Sequence, residues 1–346
     1  MTNRPLPPLI ELTKARVLEF MREPEAMFWI FVFPILMAFG LGVAFRSRGQ
    51  EQVMAGVLDR PGASALVESL RRARDINVKT VPQDRAEAAL RNGEVQLLVI
   101  PGEPPTYRYD PVRTESRLAR LVVDAALMKA SGRVDPWTPR DDTVMVPGSR
   151  YIDWLIPGLL GMNIMSTGMW GIGFGIVQAR TRKLLKLLLA TPMRRSEYLL
   201  AQMLGRLTFF ALEVFALLAF ARIAFGVTPQ GSLLAVIAIA FIGAVTFSGL
   251  GLLAASRART VEGVSGLLNV VMMPMWLLSG VFFSSANFPA RAQPVIRALP
   301  LTAVNDALRG VMIDGTTMVG VAPQLGILAA WAVVSFALAL TWFRWH

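Results

Sequence analysis

The chain has 346 residues, 54% of them hydrophobic and 17% charged, with a mean hydropathy of +0.49. A soluble domain carries about a quarter charged residues, so an ordinary soluble protein is excluded. The net charge of +11 meets no Lys/Arg-rich face with interleaved aromatics, which argues against nucleic acid and for cationic loops beside a membrane.

Residues 1–25 lack the apolar core of a cleavable signal peptide. Over residues 8–22, Leu9, Ile10, Thr13, Val17, Phe20 and Met21 share one helical face, with Glu11, Lys14, Glu19 and Arg22 opposite. That pattern predicts an amphipathic entry helix at the cytoplasmic surface; a helix packed on a cytoplasmic partner would show it too.

The first span is Ala26–Phe45, uncharged throughout and interrupted by Pro34, where a kink is expected. Further spans are predicted at Ile152–Gln178, Leu204–Gly226, Gly231–Ala255, Val261–Phe283 and Met318–Phe343. The fold class is therefore membrane all-α with six transmembrane helices, and residues 151–346 form the core that follows the first span.

More than half of the charged side chains fall in the insertion at 46–150. Its pattern predicts a mixed α/β domain. VMAGVLD alternates like a strand, ASALVESLRRA suits a helix, and INVKTV is another strand. DRAEAALRNG reads as a helix closed by Gly93, VQLLVIP as a buried strand, and TYRYD as a short strand before the helix RLARLVVDAALMKA.

Orientation follows from lysine and arginine in the short loops. Arg180, Arg182, Lys183, Lys186, Arg194, Arg195 and Arg206 lie between the second and third spans, against the single acid Glu197. Arg257 and Arg259 lie between the fourth and fifth. Placing both loops inside puts both termini in the cytoplasm and the 46–150 insertion outside. The stretch 284–317 is too polar for a span and too apolar for a free loop. Two short helices near Ala292–Leu299 and Ala303–Ile313, split by Pro300, are expected to dip into the outer leaflet.

Two ionisable residues fall inside the third span, Glu213 near its middle and Arg222 nine residues further on. Intramembrane charge is costly and marks function or a structural polar contact, so Glu213 is a candidate for the substrate path or for coupling. Arg222 reads as a snorkelling side chain. Gly168, Gly171, Gly173 and Gly175, with the Gly171–Gly175 pair among them, suit close helix packing, and Asp153 and Trp154 suit interface anchors. Met162, Met165, Met169, Met272, Met273 and Met275 fit ordinary core packing or an adaptable apolar path. Asp141 and Asp142 stand in a polar linker.

The segment after the second span, QARTRKLLKLLLATPMRRSEYLL, is apolar and cationic together. By residue type alone it suits a membrane surface or a groove on a cytoplasmic partner. Three features resemble one family, the type-2 ABC permeases of ATP-driven exporters: PGLLGMN through TPMRRSEYLL, MPMWLLSGVFFSSANFP with LPLTAVNDALRG, and the entry helix with a large domain after the first span.

That resemblance implies an N-terminal amphipathic interfacial helix, an extracytoplasmic α/β domain between the first two spans, and a re-entrant helical segment at 287–315 before the last. It implies a coupling helix at 180–192, with Arg182, Lys183, Leu184, Lys186, Leu188, Leu189, Thr191 and Pro192 docking on an ABC ATP-binding subunit. It further implies a homodimer or a pairing with a homologous permease, in the inner (plasma) membrane among its lipids. Chains of this kind often export drugs, lipids or other amphipaths, sometimes with periplasmic adaptors.

No Gly-x-x-x-x-Gly-Lys-Ser/Thr loop occurs. ATP and Mg are therefore expected on the partner, with no cofactor, metal or catalytic residue on this chain. An ion-coupled transporter would need charge in several spans and an internal repeat. A membrane sensor with an extracytoplasmic receptor domain would need fewer spans.

Overall fold

The computed structural model describes residues 8–45, 52–73, 75–134, 136–137, 140, 142, 148–183 and 195–342. Two compact units emerge, one from Met1–Arg46 with Met145–His346 and one from Ser47–Val144.

Helix α1, Pro8–Met21, packs along the helix Arg195–Phe225. Leu9, Leu12, Thr13 and Val17 are half-buried, whereas Ile10 and Met21 are exposed.

The first apolar segment is a continuous helical run: α2 at Pro24–Met27, a π-turn at Phe28–Val32, and α3 at Phe33–Ala44. Pro34 has no N–H to give the carbonyl of Ile30 four residues back. The chain responds with a wider turn ahead of the proline, where the Phe33 N–H reaches the Phe28 carbonyl. Asn163 Nδ2 donates to the freed Ile30 carbonyl at 3.3 Å.

The second unit holds β1 (Val53–Leu58), α4 (Ala63–Arg71), β2 (Ile76–Val81), α5 (Ala86–Arg91), β3 (Leu97–Ile100), β4 (Thr106–Arg108) and α6 (Thr114–Ala130). The sheet order is β2-β1-β3-β4, with β1 parallel to β2 and β3, and β4 antiparallel at the edge. β1 does not alternate as its sequence suggests, since it is central and covered on both faces. Val53, Ala55 and Val57 pack with Leu70, Ala119 and Val123, while Leu58 joins the other cluster with Val81, Ala86 and Leu98. Tyr107 donates to Asp124 Oδ1 at 2.9 Å; burial and that hydrogen bond push the phenol up to about 12.

Back in the first unit follow α7 (Tyr151–Thr181), α8 (Arg195–Phe225), α9 (Leu233–Arg257), α10 (Val261–Leu278), α11 (Gln293–Ala298), α12 (Pro300–Met312) and α13 (Ala322–Trp342). Among the described residues, five helices are long and apolar enough to cross a membrane: α7, the Leu207–Phe225 part of α8, α9, α10 and α13. The 17-residue Phe28–Ala44 is shorter. The predicted fifth span runs past its helix, because Gly280 adopts a φ of +72° and turns the chain after Leu278.

α7 is the central post, buried over most of its 31 residues and packed against α3, α8, α9, α10 and α12. α12 is wedged beside it. The two short helices expected here are α11 and α12, parted at Leu299, and Pro300 opens α12, as suits a residue whose missing N–H is unneeded in the first turn. Glycines make room. A Cβ on Gly158 would lie 2.6 Å from the Val281 carbonyl oxygen, and one on Gly161 would lie 2.1 Å from Asn305 Oδ1. Asn305 Nδ2 donates to Ser279 O at 2.9 Å.

Arg309 adds a second bond between layers. It donates to the carbonyls of Trp154 and Gly280, and its guanidinium lies 3.6 Å above the centre of the Trp154 ring. Trp154 is therefore a stacking partner of α12. Asp153 is buried and paired with Arg150 at 2.7 Å, and Arg150 also donates to Phe225 O at 2.8 Å.

Gly158→Ala is expected to destabilise the first unit by about 1–3 kcal/mol, since backbone rather than a flexible side chain blocks the new methyl. Gly266, with nothing within 4 Å of a Cβ, supplies the control. The thermal midpoint in detergent should fall for Gly158→Ala and hold for Gly266→Ala; equal midpoints would contradict the tight wedge.

Candidate functional site

One face of α7 turns away from α9 and α12. Asn163, Ser166, Thr167, Trp170, Phe174 and Gln178 recur at three- and four-residue steps and so line up along the helix. Opposite them stand Trp29, Phe33 and Met37 of the first apolar run, Phe209 of α8, and Asn269 and Trp276 of α10. Together they line a half-open cavity of about 1090 Å³. Its walls are aromatic and neutral-polar, and its described charged residues, Arg22, Glu23 and Glu25, gather where the first helical run begins. The indole N–H of Trp276 is buried and has no hydrogen-bond partner among the described residues.

Glu213 sits one side chain behind this wall and is only 2% exposed. Its Oε2 lies 3.3 Å from the Thr167 hydroxyl, which itself lies 2.7 Å from Asn163 O. Thr167 borders the cavity, so the Glu213 carboxyl reaches the space through a hydroxyl rather than directly. Arg222, from the same helix, is exposed.

Of the methionines singled out, Met162 lines the cavity; Met165, Met169, Met272 and Met275 are buried core, and Met273 is 62% exposed. The close approach of helices is carried by Gly168 and Gly173: a Cβ on Gly168 would lie 2.9 Å from Phe247 Cβ, and one on Gly173 3.1 Å from Gly251 O. Gly171 and Gly175 border the cavity instead.

At the other end of α7, Arg180 turns to the end of α9. Its Nη1 donates to Ala255 O at 2.9 Å and to Ala258 O, and Nη2 to Ser256 O at 3.5 Å. Arg182 and Lys183 are exposed, and Lys183 takes a φ of +60° as the helix stops. Left-handed backbone costs a non-glycine residue about 1–2 kcal/mol, so the chain leaves α7 through a strained corner. Leu184, Lys186, Leu188, Leu189, Thr191 and Pro192 lie outside the described residues, as does Asp141; Asp142 is exposed.

The polar face of α7 was not singled out from the sequence, although its spacing was there to find. Asn269, Trp276 and the roles of Arg180 and Arg309 depend on contacts between residues far apart in the chain, which no local pattern encodes.

The family model for ABC-2 family transporter proteins matches residues 25–341. The chain belongs to that family. Nodulation protein J of Rhizobium meliloti (strain 1021) is 26% identical over 200 residues, covering 58% of this chain and 76% of that protein. The probable multidrug ABC transporter permease YbhS of Escherichia coli (strain K12) is 26% identical over 194 residues, covering 55% of this chain and 50% of that protein. An ABC-2 permease is the multi-pass membrane subunit of an ABC transporter, and its family implies an ATP-binding partner subunit, generally with the ATPase site there.

Proposed function

We propose that this ABC-2 permease exports an amphipathic molecule, such as a drug or a lipid, by alternating access in the inner (plasma) membrane. The cavity beside α7 is the observation that carries the reading. About 1090 Å³ of space walled by Trp29, Trp170, Phe174, Phe209 and Trp276, with Asn163, Ser166, Thr167 and Asn269 among them, suits a large apolar body with a few polar groups. YbhS, whose name carries the word multidrug, is in keeping with such a substrate.

The apolar faces beside the cavity suit a dimer with a second copy or a homologous permease. Leu36, Phe39 and Val43 of α3 and Val270, Met273 and Leu277 of α10 are all more than half exposed. The run Pro24–Ala44 is continuous, and 21 residues at about 1.5 Å each make roughly 31 Å, enough for a sixth span. Under this reading both termini are cytoplasmic, Ser47–Val144 is extracytoplasmic, and α11 with α12 forms the re-entrant segment. A periplasmic adaptor, where one takes part, would meet the chain on that outer side. Glu213, behind Thr167, would shape the substrate path or its coupling, and the 180–192 segment would dock the ATP-binding subunit.

Orientation is checked on the natural chain, which has no cysteine to remove. A cysteine at Ser64 should react with an impermeant maleimide outside intact cells, and one at Ser196 should be protected; the reverse would overturn the orientation.

Glu213→Gln keeps shape and removes charge. Transport, or its pH dependence, is expected to change more than protein yield does, and an unchanged pH profile would leave Glu213 a structural residue.

Docking is tested at Leu188. Glutamate there would bury an unpaired charge, which costs several kcal/mol in an interface. Leu188→Glu should insert normally yet lose co-purification with the ATP-binding subunit, whereas Arg291→Glu should keep it. Full co-purification of Leu188→Glu would remove 180–192 from the coupling role.

A further inference from the structure

The C-terminal end of α9 presents carbonyls that the helix itself cannot satisfy. Arg180 reaches them from the end of α7, gathering the carbonyls of Ala255, Ser256 and Ala258. Its planar fork can span several acceptors at once, and a cation is favoured at a helix C-terminus. Ala258 is the first residue of a three-residue turn, Ala258–Thr260, and α10 begins directly after it. Thr260 fixes that beginning, its Oγ1 accepting from Gly263 N at 3.1 Å. Further along α10, Asn269 and Trp276 stand in the cavity wall.

A short physical path results. It runs from the strained Lys183 and the last turn of α7, across Arg180 to the α9–α10 turn, and along α10 to the cavity. We infer that Arg180 is a positioning residue that transmits movement of the docking segment to the cavity wall through the α9–α10 turn. Arg180 touches neither nucleotide nor substrate in this role. The inference rests on the reading of 180–192 as the docking segment, of which Arg180 itself belongs to the last turn of α7 and turns to α9 rather than outward.

The reporter is Asn269→Cys, which gives the chain a single thiol on an exposed, cavity-facing position of α10. The full permease, assembled with its ATP-binding subunit in lipid nanodiscs, is labelled with a soluble maleimide without nucleotide and after trapping with ATP and vanadate. With Arg180 present, the labelling rate should differ by about fivefold or more between the two states, the lower end of ordinary site-to-site coupling. Arg180→Lys places a point charge where a fork is needed. The partner subunit should still co-purify and hydrolyse ATP, while the nucleotide-dependent difference disappears.

A second variant leaves Arg180 and its carbonyls in place. Two glycines inserted after Arg259 lengthen the turn between the clamp and α10, and should also remove the difference. A rate difference that survives either change overturns the inference, and so does the absence of any difference with Arg180 intact. Leu188→Glu, run in parallel, separates the two readings. If Leu188→Glu releases the ATP-binding subunit while Arg180→Lys keeps the full difference, the clamp alone falls. If Leu188→Glu keeps the subunit and the difference, the docking assignment falls and takes the clamp with it.

Discussion

A backbone carbonyl without a donor costs several kcal/mol in an apolar surround, and that constraint explains where this chain spends its polar side chains. Asn163 serves the Ile30 carbonyl that Pro34 releases. Arg150 serves Phe225 at the end of α8, Trp331 Nε1 serves Ala298 at the end of α11 at 2.8 Å, and Arg309 serves Gly280 after α10. Arg180 serves the end of α9. Each bond joins two elements that are distant in sequence, so satisfying the backbone also fixes how the helices lie against one another.

The cavity inherits its form from those bonds. Asn163 both holds the first helical run at its π-turn and stands in the cavity wall. Replacing the lost Pro34 bond thus positions Trp29 and Phe33 across from α7. On the far side of the post, Gly158, Gly161, Gly168 and Gly173 let α9 and α12 approach α7 closely. One face of α7 is closed by glycines and the opposite face is held open by large aromatic rings.

How much of this the sequence disclosed follows from the range of each cause. Long apolar runs are local, and α7, α9, α13 and the start of α10 lie within a few residues of their expected bounds. The strands and helices of the α/β unit were legible for the same reason. The full burial of β1 was not, because it depends on helices covering both faces of the sheet. The end of α10 was misjudged by several residues, since Ser279–Phe283 is apolar enough to continue a span and only the backbone of Gly280 turns it. Arg180 is bonded 75 residues away and Arg309 155 residues away; by sequence Arg180 is one more loop cation and Arg309 one position of a predicted short helix, until the partner carbonyls are in place. Glu213 stood out because charge in an apolar helix is conspicuous by itself, but its single-residue remove from the cavity needed Thr167.

The chain's cations thereby fall into two populations with different sensitivity to ionic strength. Arg182 and Lys183 are exposed, and whatever they attract is screened over about 8 Å in physiological salt and about 3 Å at molar salt. Arg180 and Arg309 instead donate to carbonyls at hydrogen-bond distance inside the helical packing, where mobile ions have little access. Concentrated salt would strip an electrostatically held partner from this chain and leave the helix ends still fastened, so the two kinds of attachment can be undone separately.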